Sequence, residues 1–335
     1  AAEASRHFSG QTHAEPTADT VERRLAWLES RLALSSDQLR KLIVTAPFCL
    51  TVKVGGQPTV EMEQTLAFLE KRLQLGPDQL KKVITSRPSV LALSIEANLE
   101  PTLTYLQSRL DLSTDELRKV VVGRPAALSM DVEASMKPKL AFLQDRLKLN
   151  DKQLKKVVTA LPTVLGYSSE ENLEPKIAFL TTKLGLTGDE LKKIVVSRPT
   201  VLGLSVTSNL GPKLSFFEER MGMTTDQLRK VCVTTPAVLG YSLEKNLEPT
   251  LEFLEDRLRL TADQLLKVVV TTSPVLGLSV KNNLESKLQF LEDRLALNPV
   301  ELKRIVVARP PVLGLSVEKS LEPKLDYLEA RLGLR

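Results

Sequence analysis

PTVLGLSVTSNL, residues 199 to 210, decides how the rest of the chain is read. It returns as PTVLGYSSEENL from residue 162, PAVLGYSLEKNL from 236 and PPVLGLSVEKSL from 310. Its proline column runs Pro88, Pro125, Pro162, Pro199, Pro236 and Pro310, a period of 37 residues, with Ser273 in the one missing place. A second column runs Pro101, Pro138, Pro175, Pro212, Pro249 and Pro323, with Ser286 between the last two. A fixed period of this length marks one supersecondary unit copied along the chain, each copy burying its apolar face against its neighbours. That overrides the two or three globular domains a chain of 335 residues would otherwise suggest.

One repeat, residues 172 to 208, reads as two helices and a tight turn. Asn172 is the expected N-cap of the first, helix A, in a column with Asn98, Ser135, Asn209, Asn246, Asn283 and Ser320. Pro175 falls in the first turn, where its missing N–H breaks no helical bond. Leu173, Ile177, Leu180 and Leu184 form one apolar stripe, and helix A ends near Gly185. Thr187 to Glu190 is a capping box that opens helix B, whose buried face is Leu191, Ile194 and Val195. Pro199 stops helix B, because the residue before a proline is pushed out of the α region. Pro199 to Leu202 has room for one 3₁₀ turn, which Gly203 is expected to close with positive φ. The fold class is therefore all-α, an α-solenoid of tandem 37-residue helix–helix–3₁₀ repeats expected to form a curved superhelical arc. Residues 1–20 read as a disordered tail, and 21–335 as a single repeat domain of about eight repeats plus a terminal helix. The register breaks once, between Pro47 and Phe68, where a lengthened loop reads as a surface insertion. The last helix A stands without its helix B, which reads as a natural cap or, preferably, as the edge of a fragment.

Composition narrows the function. Hydrophobic content of 42% with only 4% aromatics suits cores of Leu and Val rather than aromatic binding platforms. No apolar stretch reaches the length needed to span a bilayer, so no membrane association is expected. Cys49 and Cys232 fit neither a disulfide framework nor a metal site, and Cys232 reads as a small core residue. His7 and His13 are the only histidines and both lie in the tail. With no phosphate-binding glycine loop, metal spacing or activated nucleophile, the sequence points to no catalytic residue, no cofactor and no enzyme. A net charge of +5 permits a polyanionic partner. Arg6-His7-Phe8-Ser9 is similar to the residues around mitochondrial presequence cleavage sites, with a chance match in a polar tail as the even alternative.

The consensus L-S-x-x-x-N-L-x-P-K-L-x-F-L-x-x-x-L-G-L-x-x-D-E-L-x-K-I-V-x-x-x-P-x-V-L closely resembles the repeat of the mitochondrial transcription termination factor (mTERF) family. Its carriers here are Pro199, Val201 and Leu202, preceded by Leu180, Leu184, Gly185, Leu186, Leu191 and Ile194. The resemblance covers residues 21 to 335. It implies an open helical arc and an organellar protein, mitochondrial or chloroplast, that binds DNA or RNA in gene expression. These repeats are more uniform than is usual in that family and the net charge is modest. Both weigh against base-specific recognition more than against nucleic-acid binding.

Phosphate neutralisation is the chemistry the charged columns offer. Each helix B carries adjacent positions of basic character: Arg40-Lys41, Lys81-Lys82, Arg118-Lys119, Lys155-Lys156, Lys192-Lys193, Arg229-Lys230, Leu266-Lys267 and Lys303-Arg304. The second member lies opposite the buried stripe, so stacked copies would form a positive row able to follow a nucleic-acid backbone. The competing reading pairs Asp189 with Lys193, and its equivalents, at i,i+4 as plain helix support. The Arg31 to Arg331 column at the ends of helices A is likewise open to a helix-dipole explanation. Residues 135 to 171 hold seven bases against four acids, and Lys152 there replaces the usual aspartate. The expected nucleic-acid-binding set is Lys137, Lys139, Lys148, Lys152, Lys155, Lys156, Lys176, Lys192, Lys193, Arg198, Arg229 and Lys230. Arg87, Arg124, Arg198 and Arg309, just before the proline, form a further set for which capping of helix B is the equal alternative.

The sequence therefore points to an organellar nucleic-acid-binding protein, expected to be a monomer. It would act on duplex DNA or structured RNA in transcription regulation, its termination, or RNA metabolism. The alternative is a protein-binding scaffold in organellar gene expression or ribosome assembly, since repeat surfaces also hold proteins.

Overall fold

A computed structural model describes residues 18–50 and 58–333, so most of the expected tail and of the lengthened loop lies outside the described residues. The chain divides into two compact units, residues 1–169 and 170–335. The first holds α1 (Ala18–Leu32) and α2 (Ser36–Thr45), α3 (Pro58–Leu73) and α4 (Pro77–Ser86), α5 (Glu100–Arg109) and α6 (Thr114–Gly123), and α7 (Lys137–Leu147) and α8 (Asp151–Ala160). The second holds α9 (Glu174–Leu184) and α10 (Gly188–Ser197), α11 (Gly211–Met221) and α12 (Thr225–Thr234), α13 (Glu248–Leu258) and α14 (Ala262–Thr271), α15 (Ser286–Leu295) and α16 (Pro299–Ala308), and finally α17 (Glu322–Leu332). Odd-numbered helices are the A helices and even-numbered ones the B helices. The described residues contain no strand, and the chain is an all-α helical-repeat protein.

Seven of the eight B helices are started by the capping residues expected to start them; α4 starts after Gly76, which has no side chain to cap with. Thr187 Oγ1 accepts from the Glu190 N–H, and Glu190 Oε2 accepts from the Thr187 N–H at 2.9 Å. The same reciprocal box stands at Ser35, Ser113, Asn150, Thr224, Thr261 and Asn298, each worth roughly 1 kcal/mol. Behind it, Leu191, Ile194 and Val195 are buried with Ile177, Leu180 and Leu184 of α9 and with Val201 and Leu202. Burying a side chain of this size contributes about 1.5–3 kcal/mol, so a repeat's stability lies in this cluster. The 3₁₀ turn Pro199–Gly203 follows as expected, with the Val201 N–H on Arg198 O at 3.0 Å.

The entry to helix A differs from expectation. The cap is Ser205, not Asn209: its Oγ accepts from the Ser208 N–H, and Val206–Leu210 make one wide π turn before α11. Ser94, Asp131, Ser242, Ser279 and Ser316 cap in the same way. The proline sets where the π turn hands over to the α-helix, because it brings no N–H that needs an α-type acceptor. At Ser286, which has an N–H, the π segment Val280–Glu285 is one residue longer than its counterparts.

Positive φ is also placed elsewhere. Gly203 does not adopt it; the residue that ends each A helix does, as at Gly185 (φ 61°), Lys148 (50°) and Arg259 (48°). The glycines at the end of the 3₁₀ turn serve space instead. A Cβ on Gly166 would coincide with the guanidinium of Arg124, and one on Gly240 would lie 2.6 Å from Arg198 Nη2.

Two further devices fasten the repeats. The base at the end of one A helix reaches an acid 35 residues on in the next: Lys183 to Glu218 at 2.6 Å, Arg220 to Glu255 at 2.5 Å and Arg294 to Glu329 at 2.6 Å. Dipole complementarity is thus only part of that column's role. Inside the repeat, buried Lys213 donates to Leu239 O at 2.5 Å and to Asn209 Oδ1 at 3.0 Å, tying the A helix to its 3₁₀ turn. Lys176 and Lys287 do the same with Leu202 and Leu313.

Candidate nucleic-acid interface

The paired basic positions of helix B behave differently from each other. In most B helices the first base turns back along the solenoid to the carbonyl that ends an A helix, 44 residues upstream or, for Lys81 across the lengthened loop, 48. Lys81 bonds Ala33 O at 2.5 Å, Lys155 bonds Asp111 O at 2.6 Å, Arg229 bonds Gly185 O at 3.3 Å and Lys303 bonds Arg259 O at 2.6 Å. These carbonyls belong to the left-handed residues, which end their helices without continuing the ladder. The helix-B aspartate joins the same base at i,i+3: Asp189 to Lys192 at 2.8 Å and Asp226 to Arg229 at 2.7 Å, with Asp115 to Arg118 alike. The expected i,i+4 pairing of Asp189 with Lys193 is therefore replaced, because the first base already points toward the helix start.

The second base is left over. Lys41, Lys82, Lys119 and Lys156 in the first unit, and Lys193, Lys230, Lys267 and Arg304 in the second, are all exposed. None of their side chains makes a hydrogen bond or ion pair with the protein. Within each unit successive B helices pack side by side, α4 on α6 on α8 and α10 on α12 on α14 on α16. Equivalent positions on them therefore form a row, one cation per repeat.

The twelve expected site residues separate on this basis. Lys152, Lys156, Lys193 and Lys230 are exposed, their side chains in no hydrogen bond or ion pair; Lys148 is exposed at a helix end. Lys137 pairs with Glu133, with its ammonium 5.8 Å from the Tyr105 ring centre. Lys155 is held by Asp111 O and by Glu116 at 2.8 Å, which pulls the Glu116 carboxyl below its ordinary range. Lys192 and Arg229 are held by their aspartates. Lys176 is an internal residue, its ammonium on Leu202 O and Asn172 Oδ1, and burial pushes its pKa down. Lys139 is half-buried against Tyr167 O and Ser169 Oγ, with the same downward push. Arg198 lies half-buried on Gly240, and its side chain caps no helix-B carbonyl. The sequence reading expected such a row, but its site set stops at residues 137 to 230 and leaves out Lys41, Lys82, Lys119, Lys267 and Arg304.

A family model described as mTERF matches residues 66–334. The chain belongs to the mTERF family. mTERF proteins are helical-repeat proteins of organelles that bind nucleic acid and are not typically enzymes. Comparison with curated proteins finds no match. No described helix is long and apolar enough to cross a membrane, and no described cluster of three or more His, Cys, Asp or Glu side chains could hold a metal. Burial pushes the Cys232 thiol up to about 12 and the Cys49 thiol up to about 11, which suits packing and not reactivity. The mTERF repeat here thus spends many of its cations on its own joints and presents at least one per B helix to solvent, two on α8 with Lys152 and Lys156.

Proposed function

We infer that the chain binds the phosphate backbone of duplex DNA or structured RNA in a mitochondrion or chloroplast, acting in transcription regulation or termination or in RNA metabolism. One observation carries this reading: every B helix keeps its second base exposed, its side chain in no hydrogen bond or ion pair, while the first base in six of the eight and most helix-A bases are engaged. A row of like charges at one position per repeat destabilises slightly and does nothing for packing, so a polyanion is the partner it suits. The contacts are Lys41, Lys82, Lys119 and Lys156 in the first unit and Lys193, Lys230, Lys267 and Arg304 in the second, with Lys152 beside them. Lys137, Lys155, Lys192 and Arg229 act through the field they add, from positions fixed by protein partners.

Gel-shift titrations with duplex DNA, duplex RNA and single strands across a salt series test the reading. Reversing Lys82, Lys119 and Lys156 to Glu should weaken binding and reduce the salt slope by about 2.7 on duplex DNA, roughly 0.9 per phosphate contact. The triple variant of Lys193, Lys230 and Lys267 should behave alike. Unchanged affinity and slope in both would overturn the reading and favour the scaffold alternative.

A further inference from the structure

Among the described arginines, Arg124 and Arg198 stand apart by a buried Nε with no acceptor. Arg31, Arg72, Arg109, Arg118, Arg220, Arg229, Arg257 and Arg294 each reach a carboxylate. Arg124 and Arg198 reach none, and the Nε of each is shielded from solvent without a protein acceptor. Leaving a donor so placed costs on the order of 1–3 kcal/mol, which a purely structural arginine has no reason to bear. Both occupy the same place in the repeat, just before the proline, and each lies on a glycine 42 residues later, Gly166 and Gly240. Each also has a lysine 15 residues on, Lys139 and Lys213, whose ammonium fastens the adjoining 3₁₀ turn. The complete Arg, Lys and Gly set occurs once in each unit.

In the first unit the set opens onto a groove of about 820 Å³ lined by Arg87, Arg124 and Lys139. Asp131 is the one carboxylate among its lining residues, and its Oδ1 is committed to the Ala134 N–H at 2.6 Å. The groove therefore offers positive charge, a guanidinium immobilised by contact with backbone, and serine hydroxyls at Ser129, Ser135 and Ser169. A planar guanidinium matches the oxygens of a phosphate better than a point charge does, and holding it flat in advance removes the entropy of ordering it.

We propose that Arg124, with Lys139 beside it and Gly166 beneath it, forms a seat for a single phosphate group, and that Arg198, Lys213 and Gly240 form its counterpart in the second unit. The seat is separate from the exposed helix-B row. It rests on the nucleic-acid reading for the source of the phosphate, a backbone phosphodiester, and a free phosphate has the same chemistry.

The test leaves the charge unchanged. Gly166→Ala and Gly240→Ala put a methyl group where the guanidinium lies, displacing only the far end of a flexible side chain. Arg124→Leu, a residue that position already carries as Leu161, serves as a second variant that the fold accommodates. The shielded Nε–H groups exchange slowly and so give observable ¹⁵N signals in the full chain. Titration with inorganic phosphate, and separately with a short DNA duplex, should shift the Arg124 and Arg198 signals saturably. Gly166→Ala should abolish the Arg124 response, and the double glycine variant should lower duplex affinity about a hundredfold, roughly tenfold for the charge-assisted contact of each seat. Arginine signals unmoved by both probes, or glycine variants that bind the duplex as wild type does, overturn the seat. If the Lys82, Lys119 and Lys156 reversals still weaken binding in that case, the nucleic-acid reading survives without it. Response to inorganic phosphate with no nucleic-acid binding at low salt would keep the seat and sink that reading.

Discussion

The Lys155 ammonium and the Asp111 carbonyl meet at 2.6 Å across 44 residues of sequence. The side chain of Lys156, its neighbour, is exposed and makes no hydrogen bond or ion pair. The pair divides stability from binding between adjacent residues. Lys155→Met should lower stability by about 1 kcal/mol, since the bond is partly exposed and screened, and leave duplex affinity within about twofold. Lys156→Glu should do the reverse. Denaturant unfolding and gel-shift titration of the two variants check this, and equal effects on both readouts would dissolve the division.

Leu266 is the one place where the first base is missing, so the carbonyl of Gly222 lacks the tie that the carbonyls of Gly185 and Arg259 on either side have. Leu266→Lys should restore it and slow amide exchange at the start of α12 and α14, with a gain of up to about 1 kcal/mol. Exchange rates no slower than in the parent would show that the tie contributes nothing there.

Much of this architecture is legible in the sequence because its signals are local. The 37-residue period, the capping boxes and the proline that stops helix B each act within one turn of chain. What escaped reading depends on choices between equivalents. Ser205 and Asn209 are both good caps, and only the wide turn before Pro212 selects the serine. Asp189 reaches Lys192 or Lys193 equally well from sequence spacing, and the upstream carbonyl that engages the first base settles it, as Arg229 on Gly185 O illustrates. Gly166 and Gly240 look like torsional glycines, yet what they supply is room for an arginine from the previous repeat. In the candidate site, charge alone could not separate Lys176, an internal strut, from Lys193, an exposed contact.

Arg259 holds a left-handed backbone at φ 48°, where Gly185 and Gly222 stand in equivalent places. A side chain there costs about 1 kcal/mol relative to glycine. Arg259→Gly should therefore stabilise the second unit by about that amount, despite the extra freedom glycine gives the unfolded chain. The bond from Lys303 uses the Arg259 carbonyl and is kept. Thermal unfolding measured beside Gly185→Ala, which should lose a similar amount, makes the comparison internal.

Lys213 gives the fold a pH signature. Burial pushes its pKa down to about 8, with Cys232 and Arg198 as the charged or titrating groups near it. Well below 8 the lysine is protonated in both folded and unfolded chains, so it contributes almost no slope. Between 8 and its ordinary 10.5 the unfolded chain holds a proton that the folded chain has released, so stability rises with pH. Above about 9 the buried thiols oppose this, because unfolded cysteine ionises there while folded Cys232 does not until about 12. The clean window is therefore pH 8 to 9. Thr stands in the same column at Thr102 and Thr250, both buried, so Lys213→Thr is a substitution the repeat tolerates. Wild type should gain stability over Lys213→Thr by up to about 1.4 kcal/mol per pH unit across that window, and by only about 0.2 kcal/mol in all between pH 6 and 7.5. Denaturant midpoints of the two proteins that stay parallel from pH 6 to 9 would mean that Lys213 keeps its proton in the folded state.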